Sequence, residues 1–155
     1  MPTTHKLPEQ NLEDHLTNSD GYLKDILRAF DDGWDARGVD DTKQLHMKIK
    51  ATVYQSLDNA VSVLEYIRSL GFEPVNMFGK MDRPSSMTIL ITVNLENYLN
   101  DSFSKVYDFV TEVENRSKSQ QYTLNFVLSY SDENLNVECL LSDGFRDISD
   151  IIVNG

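Results

Sequence analysis

The residue types that most often carry chemistry are few in this chain and far apart. His5, His15 and His46 have no partner at the short spacings that bind zinc. Cys139, the one cysteine, falls within a predicted apolar strand, where a small buried side chain is expected rather than a reactive thiolate. No GxSxG nucleophile elbow occurs in the sequence. The sequence therefore predicts no metal site and no catalytic residue, although a cleft assembled from scattered residues would leave no linear motif.

Nucleotide-binding and RNA-binding patterns are also weak. The seven glycines are scattered singly, and neither GxGxxG nor GxxxxGK[ST] occurs. RNA binding on an open sheet requires aromatic side chains surrounded by basic residues, and Tyr54, Phe78, Lys48 and Lys50 meet this requirement only in part. A formal charge of −11, from 25 acidic and 14 basic residues, repels phosphate. We therefore expect no cofactor and no nucleic-acid partner.

One acidic and aromatic helix stands out near the N-terminus. Apolar residues recur at helical spacing from Tyr22 to Asp35 and end in the one tryptophan, Trp34. This stripe either packs on the domain or, with its aspartates, forms an aromatic anchor with an acidic rim, as interface hot spots do. The second interpretation predicts a partner-binding surface. Its residues are Phe30, Asp31, Asp32, Trp34 and Asp35.

Composition indicates one globular domain. At 155 residues, with 40% hydrophobic and 25% charged side chains, the chain is large enough for a single core. Residues 1–18 are polar and contain two prolines, so we predict a flexible tail followed by one domain over residues 19–155. No apolar run is long enough to span a bilayer, and the single cysteine fits a reducing compartment. A cytoplasmic location is expected.

The central elements begin with an ambiguous stretch. Apolar and polar residues alternate from Gln44 to Tyr54, which favours a strand, although Leu45, Ile49 and Val53 are also four apart, as on a helix. A helix capped by Ser56 follows and ends at Gly71. Strands are then predicted from Glu73 to Phe78 and from Met87 to Asn94, joined by a turn over residues 79–86.

The remaining pattern predicts another helix and a hairpin. Phe103, Val106, Val110 and Val113 form the buried stripe of a helix from about Ser102 to Lys118. Strands follow from Tyr122 to Tyr130 and from Leu135 to Leu141. The predicted fold is α+β, a ferredoxin-like βαββαβ core with an N-terminal helix and an extra C-terminal β-strand.

The stretch from Val53 to Met77 resembles the ACT domain family, in which a strand, a short turn and a helix precede a strand that resumes after a glycine. The positions that match are Val53, Asp58, Leu64, Ile67, Gly71 and Val75. The turn departs from the family, because it reads Ser56-Leu57-Asp58-Asn59 where the family has a proline-glycine pair or its equivalent. The resemblance implies a small-molecule-sensing regulatory domain.

The sequence thus favours a non-catalytic protein-binding domain of the immunity, inhibitor or adaptor type. Its acidic surface would attract a partner protein with a basic surface. The alternatives are the ACT-like sensing domain and an enzyme whose active site has no linear motif. No membrane contact is expected, and an exposed strand edge makes a homodimer a further expectation.

Overall fold

A long helix, α1, spans Thr42–Ser69 in the computed structural model, which describes residues 27, 28, 30, 42–133 and 135–154. Six of its buried apolar side chains follow one another at spacings of three and four residues, which places them on a single face. They are Ile49, Val53, Leu57, Ala60, Leu64 and Ile67. Gly71 ends the helix with φ of +89°, and the Phe72 N–H donates to the carbonyl oxygen of Ile67 at 3.2 Å. The predicted stop is confirmed.

The strand predicted from Gln44 to Tyr54 is wrong, because these residues form the first half of α1. Leu45, Ile49 and Val53 continue the stripe of the second half, so the helix extends toward the N-terminus at little cost. Met47, which the alternating pattern would have buried, is 64% exposed. Ser56 is therefore a buried residue in the middle of a helix and not a cap.

The sheet has four strands in the described part of the chain. β1 (Pro74–Arg83) and β2 (Ser86–Asn94) form an antiparallel hairpin, and β3 (Thr123–Ser131) lies parallel to β2. β4 (Arg146–Asp147) pairs with the other edge of β1, which gives the order β3-β2-β1-β4. The predicted turn over residues 79–86 shrinks to Pro84 and Ser85, because β1 continues to Arg83.

The connection from β2 to β3 contains three short or medium helical segments. α2 covers Leu95–Tyr98, a 3-10 turn covers Asp101–Phe103, and α3 covers Ser104–Ser117. The valine stripe of α3 packs on the same face of the sheet as α1. The helix predicted from Ser102 to Lys118 and the strands predicted at residues 87–94 and 122–130 are therefore confirmed, with ends that shift by a residue or two.

The strand predicted from Leu135 to Leu141 is wrong. These residues enter a short helix, α4 (Val137–Ser142), whose start is capped by Asn136: its side-chain oxygen accepts from the Cys139 N–H at 3.0 Å. Cys139 is consequently exposed on a helix rather than buried in a strand. The last helix, α5, spans Asp150–Asn154. The α+β class is confirmed, with a mixed sheet, whereas the ferredoxin-like topology is not, since its first strand is helical.

The second face of the sheet carries a smaller apolar region. Phe78 and Leu90 pair across β1 and β2, and both are buried although they point away from the main core. The chain has to cross the sheet between β3 at one edge and β4 at the other. Lys80 is two residues after Phe78 on β1 and so lies on this second face. Its ammonium is 5.7 Å from the centre of the Phe145 ring, so the chain passes over the second face. Both faces of the sheet are therefore partly covered.

A cluster of buried hydroxyl groups fixes α1 to the sheet. The Thr52 hydroxyl donates to the carbonyl oxygen of Pro84 at 2.6 Å, which joins the helix to the β1–β2 turn. The Ser56 hydroxyl lies 2.9 Å from the Tyr122 hydroxyl, and the Asn59 amide donates to the same oxygen at 3.5 Å. Burial raises the pKa of Tyr122, so this phenol remains a neutral hydrogen-bonding group. We call Thr52, Ser56, Asn59 and Tyr122 the hydroxyl cluster.

Tyr122→Phe tests the hydroxyl cluster. The substitution leaves the buried Ser56 hydroxyl without its partner, so the free energy of unfolding is expected to fall by about 1–2 kcal/mol. Urea unfolding followed by circular dichroism measures the change as a lower midpoint at an unchanged slope.

Two further variants complete this test. Ser56→Ala combined with Tyr122→Phe is expected to cost less than the sum of the single changes, because it removes both hydroxyls of one pair. Tyr130→Phe removes a phenolic hydroxyl at a position that is 40% exposed and should change little. Equal losses in Tyr122→Phe and Tyr130→Phe would contradict a structural role for the cluster.

Candidate functional site

The partner-binding surface predicted on the N-terminal helix falls mostly outside the described residues. Asp31, Asp32, Trp34 and Asp35 all lie there, as do the predicted tail and the start of that helix. Phe30 is described: it is helical, only 6% exposed, and part of the hydrophobic core. The partner-binding surface of these five residues therefore stays a prediction. The burial of Phe30 fits the other interpretation, in which the helix packs on the domain.

The described residues instead bring three tyrosines together at one end of the sheet. Tyr98 ends α2, Tyr107 lies on α3, and Tyr130 is near the end of β3. The rings of Tyr98 and Tyr130 lie with their centres 5.5 Å apart at 53°, and the hydroxyls of Tyr98 and Tyr107 are 3.0 Å apart. Tyr107 and Tyr130 are 43% and 40% exposed, so this aromatic cluster reaches the surface.

Phe103 packs between the tyrosines and the hydrophobic core. It is buried, its ring centre lies 5.5 Å from that of Tyr98, and it meets the Tyr107 ring edge-on at 5.8 Å. On its other side it contacts Phe72, the residue that follows the end of α1, at 5.6 Å. Tilted and edge-on arrangements of this kind are the favourable ones for aromatic pairs. The surface rings are thus held by packing that continues into the core.

Asparagine side chains hold the α2 segment in place. The Asn94 side-chain oxygen accepts from the Asn97 N–H at 2.7 Å and caps α2. The Asn97 side-chain oxygen in turn accepts from the Glu73 N–H at 3.2 Å, which ties α2 to the start of β1. Asn100 caps the 3-10 turn by accepting from the Ser102 N–H at 2.9 Å. Tyr98 therefore lies in a segment whose backbone is fixed at both ends.

Two exposed leucines extend the cluster. Leu95 is 43% exposed and Leu99 is 68% exposed. They are one helical turn apart, with the Leu99 N–H donating to the carbonyl oxygen of Leu95 at 3.0 Å, and they flank Tyr98 on the chain. We define the tyrosine patch as Leu95, Tyr98, Leu99, Tyr107 and Tyr130. Contiguous exposed apolar and aromatic surfaces are a common feature of interaction sites.

Carboxylates flank the tyrosine patch along the chain. All of them are exposed: Glu96, Asp101, Asp108, Asp132 and Glu133. Lys105 is the one basic residue between residues 95 and 110. The local charge therefore has the same sign as the net charge of −11, and the field over the patch attracts cations.

The Tyr107 phenol is neutral near physiological pH. Burial, the hydrogen bond to Tyr98 and the charge of Tyr98 together raise the pKa of Tyr107 from an ordinary 10.0 to about 12. Although part of the Tyr107 side chain is exposed, its hydroxyl lies against the Tyr98 hydroxyl. The Tyr107 phenol is thus a poor proton donor or nucleophile, and it offers a ring face and a hydroxyl for binding.

The edge of β3 bears on the homodimer expected from the sequence. The Phe126 N–H donates to the Glu114 carboxylate at 2.7 Å and not to β2. A carboxylate from α3 thus occupies one of the outward N–H groups with which another strand would pair, a common way of protecting a sheet edge. Pairing through this edge would have to displace Glu114, and a homodimer stays a prediction.

Other chemistry finds little support among the described residues. They hold no group of three or more histidine, cysteine, aspartate or glutamate side chains placed to bind a metal ion. Within the same residues, no helix has the length and apolar character needed to cross a membrane. Val53 and Asp58 both lie on α1, so the strand and turn of the ACT-like interpretation do not form, and small-molecule sensing stays a prediction without them.

Comparisons with protein-family models, with curated proteins and with solved structures found no match to this chain. The residues themselves carry the functional interpretation.

Sequence reasoning missed the tyrosine patch. The sequence pattern predicts no element over residues 95–101 and places Tyr130 at the end of a predicted strand, so it gives no reason to associate Tyr98 with Tyr130. One signal was present: Tyr107 is four residues after Phe103 and three before Val110, which places it at the edge of the buried stripe, in contact with Phe103 and partly exposed.

The pKa of Tyr107 is the measurable property of this geometry. In wild type, the NMR signal of Tyr107 labelled at the ring carbon bearing the hydroxyl is expected to titrate with a midpoint near 12. Tyr98→Phe removes the hydrogen bond and the neighbouring charge, so the midpoint should fall toward 10 while burial keeps it above that value. A wild-type midpoint near 10 would contradict the described contact.

The same shift predicts a pH dependence of stability. Because the folded-state pKa of Tyr107 lies above the unfolded value, its contribution is fully present below pH 10 and is lost as the pH rises through about 12. Tyr107→Phe should therefore lose less stability than wild type over this window, as measured by urea unfolding at each pH.

Proposed function

We propose that this chain is a non-catalytic, acidic protein-binding domain that docks a basic partner protein through the tyrosine patch. One observation carries the proposal: the partly buried Tyr98 contacts both Tyr107 and Tyr130, and these two are exposed on segments that also carry exposed carboxylates. The mode of action is that of an immunity, inhibitor or adaptor protein, in which the bound domain covers a functional surface or tethers its partner. A cytoplasmic setting fits the single cysteine.

Tyrosine is well suited to the centre of such an interface. Its ring supplies a large contact area with only two rotatable side-chain bonds, and its hydroxyl satisfies polar groups of the partner. Here the rings of Tyr98 and Tyr130 are already packed and Tyr107 is hydrogen-bonded. Little conformational entropy would be lost on binding, which favours affinity.

The carboxylates would act at longer range. An acidic surface raises the rate at which a basic partner arrives in a productive orientation, and salt weakens this effect. Glu96 lies on α2 with Tyr98, Asp108 lies on α3 with Tyr107, and Asp101 begins the 3-10 turn between them, so steering and anchoring would act at the same place. We therefore expect association to depend strongly on ionic strength.

Affinity capture with charge-matched variants tests the proposal. Immobilised wild type is expected to retain basic proteins from a lysate of its source cells at low salt and to release them at high salt. Asp101→Asn with Asp108→Asn should weaken retention of the same proteins by about tenfold, because it neutralises carboxylates beside the patch. Quantitative mass spectrometry of the retained fractions measures the loss.

Asp58→Asn with Glu65→Gln is the matched control. Both residues are exposed on α1, away from the patch on the chain, and the net charge changes by the same amount. Retention by this control should stay close to wild type. If both double variants lost binding equally, net charge and not the patch would account for it.

The N-terminal helix requires its own variant. Trp34→Ala with Asp31→Asn and Asp32→Asn removes the surface that the sequence predicted. On the present proposal this triple variant retains most binding. Complete loss here, with the patch variants unaffected, would place the interface on that helix instead.

A further inference from the structure

We infer that the partner places an arginine-bearing segment on the tyrosine patch and that the patch selects arginine over lysine. This inference rests on the proposed function. Both cations would be attracted by the flanking carboxylates at a distance. The contacts that the patch can make once a side chain has arrived differ between the two.

The ring faces provide the first reason. Tyr107 and Tyr130 each expose about two fifths of their surface, and Tyr98 lies between them. A guanidinium group is planar and weakly hydrated, so it can stack on a phenol ring while its edge still forms hydrogen bonds. A lysine ammonium is compact and strongly hydrated, and it gives up more of its water to reach the same ring.

The hydrogen-bonding groups provide the second reason. In the Tyr98–Tyr107 pair, one hydroxyl donates to the other, which leaves lone pairs on both oxygens to accept from the occupant. Exposed carboxylates follow within a few residues, Asp101 after Tyr98 and Asp108 after Tyr107. A guanidinium group has five N–H donors in a fixed fork and can bond a carboxylate through two of them at once.

The leucines indicate what else the occupant presents. Leu95 and Leu99 are exposed one helical turn apart, and they flank Tyr98 on the chain. The aliphatic stem of an arginine, or an apolar neighbour on the same segment, would cover them. An arginine residue with an adjacent apolar side chain thus matches both the polar and the apolar parts of the patch.

The test compares two fluorescent peptides of about ten residues, one alternating arginine with glycine and the other alternating lysine with glycine. Fluorescence anisotropy at low and at physiological salt measures the dissociation constant of each for wild type. We expect the arginine peptide to bind about three- to tenfold more tightly, the range that one or two stacked guanidinium groups would give.

Variants of the rings assign the preference to the patch. Tyr107→Leu combined with Tyr130→Leu keeps apolar side chains but removes the ring faces, and should bring the arginine-to-lysine ratio close to one. Tyr107→Phe keeps the ring and should retain most of the preference. Met47→Leu, an exposed apolar change on α1, is the control that should leave both constants unchanged.

The outcomes separate this inference from the proposed function. Equal binding of both peptides, lost in the Asp101→Asn and Asp108→Asn variant but not in the Asp58→Asn and Glu65→Gln control, would overturn arginine selectivity and leave a basic partner in place. An arginine preference that survives loss of both rings would also overturn the inference. Failure of both peptides to bind at low salt would overturn the inference and the proposed function together.

Discussion

The packing of α1 on the sheet is the constraint on which the rest of the structure depends. Its buried stripe covers one face of β1 and β2, and the hydroxyl cluster fixes the helix to the β1–β2 turn and to the start of β3. Tyr66 of α1 stacks on Phe109 of α3 with ring centres 4.2 Å apart and nearly parallel. The position of α3 therefore follows from that of α1. Because buried polar groups must be satisfied, the hydroxyl cluster also selects one register of helix against sheet.

The geometry of the tyrosine patch depends on the packing of this core. Phe72 directly follows the stop of α1 at Gly71, and it contacts Phe103, which in turn supports Tyr98 and Tyr107. The surface rings are thus the outer end of a continuous aromatic packing that begins at the end of α1. A site built in this way is held rigidly, although its members come from a short helix, a longer helix and a strand. This rigidity supports a role in binding, for which pre-organised side chains lose little entropy.

Core packing and surface charge act separately in this protein. The buried residues are almost entirely apolar, and the few buried polar side chains, such as Thr52, Ser56 and Thr92, are uncharged. The acidic residues that give the net charge of −11 can therefore serve a partner without affecting how the sheet is covered. Charge acts over a Debye length of roughly 8 Å at physiological salt, whereas the ring faces act only in contact. The proposed docking combines the two ranges at one end of the sheet.

The sequence by itself determined the elements whose periodicity admits one reading: the stop at Gly71, the strands over residues 87–94 and 122–130, and the valine stripe of α3. It failed at Gln44–Tyr54, where the apolar residues fit both the period of a strand and that of a helix. The helix forms there because the residues that follow are helical and the helix extends cooperatively from them. The sequence failed again at Leu135–Leu141, where the Asn136 cap favours a helix over an edge strand. Tertiary structure alone decided the site. Tyr98, Tyr107 and Tyr130 belong to three elements, and no local pattern brings them together. They meet because the crossover from β2 through α3 returns the chain to lie beside β2, with Phe103 between the tyrosines and the core.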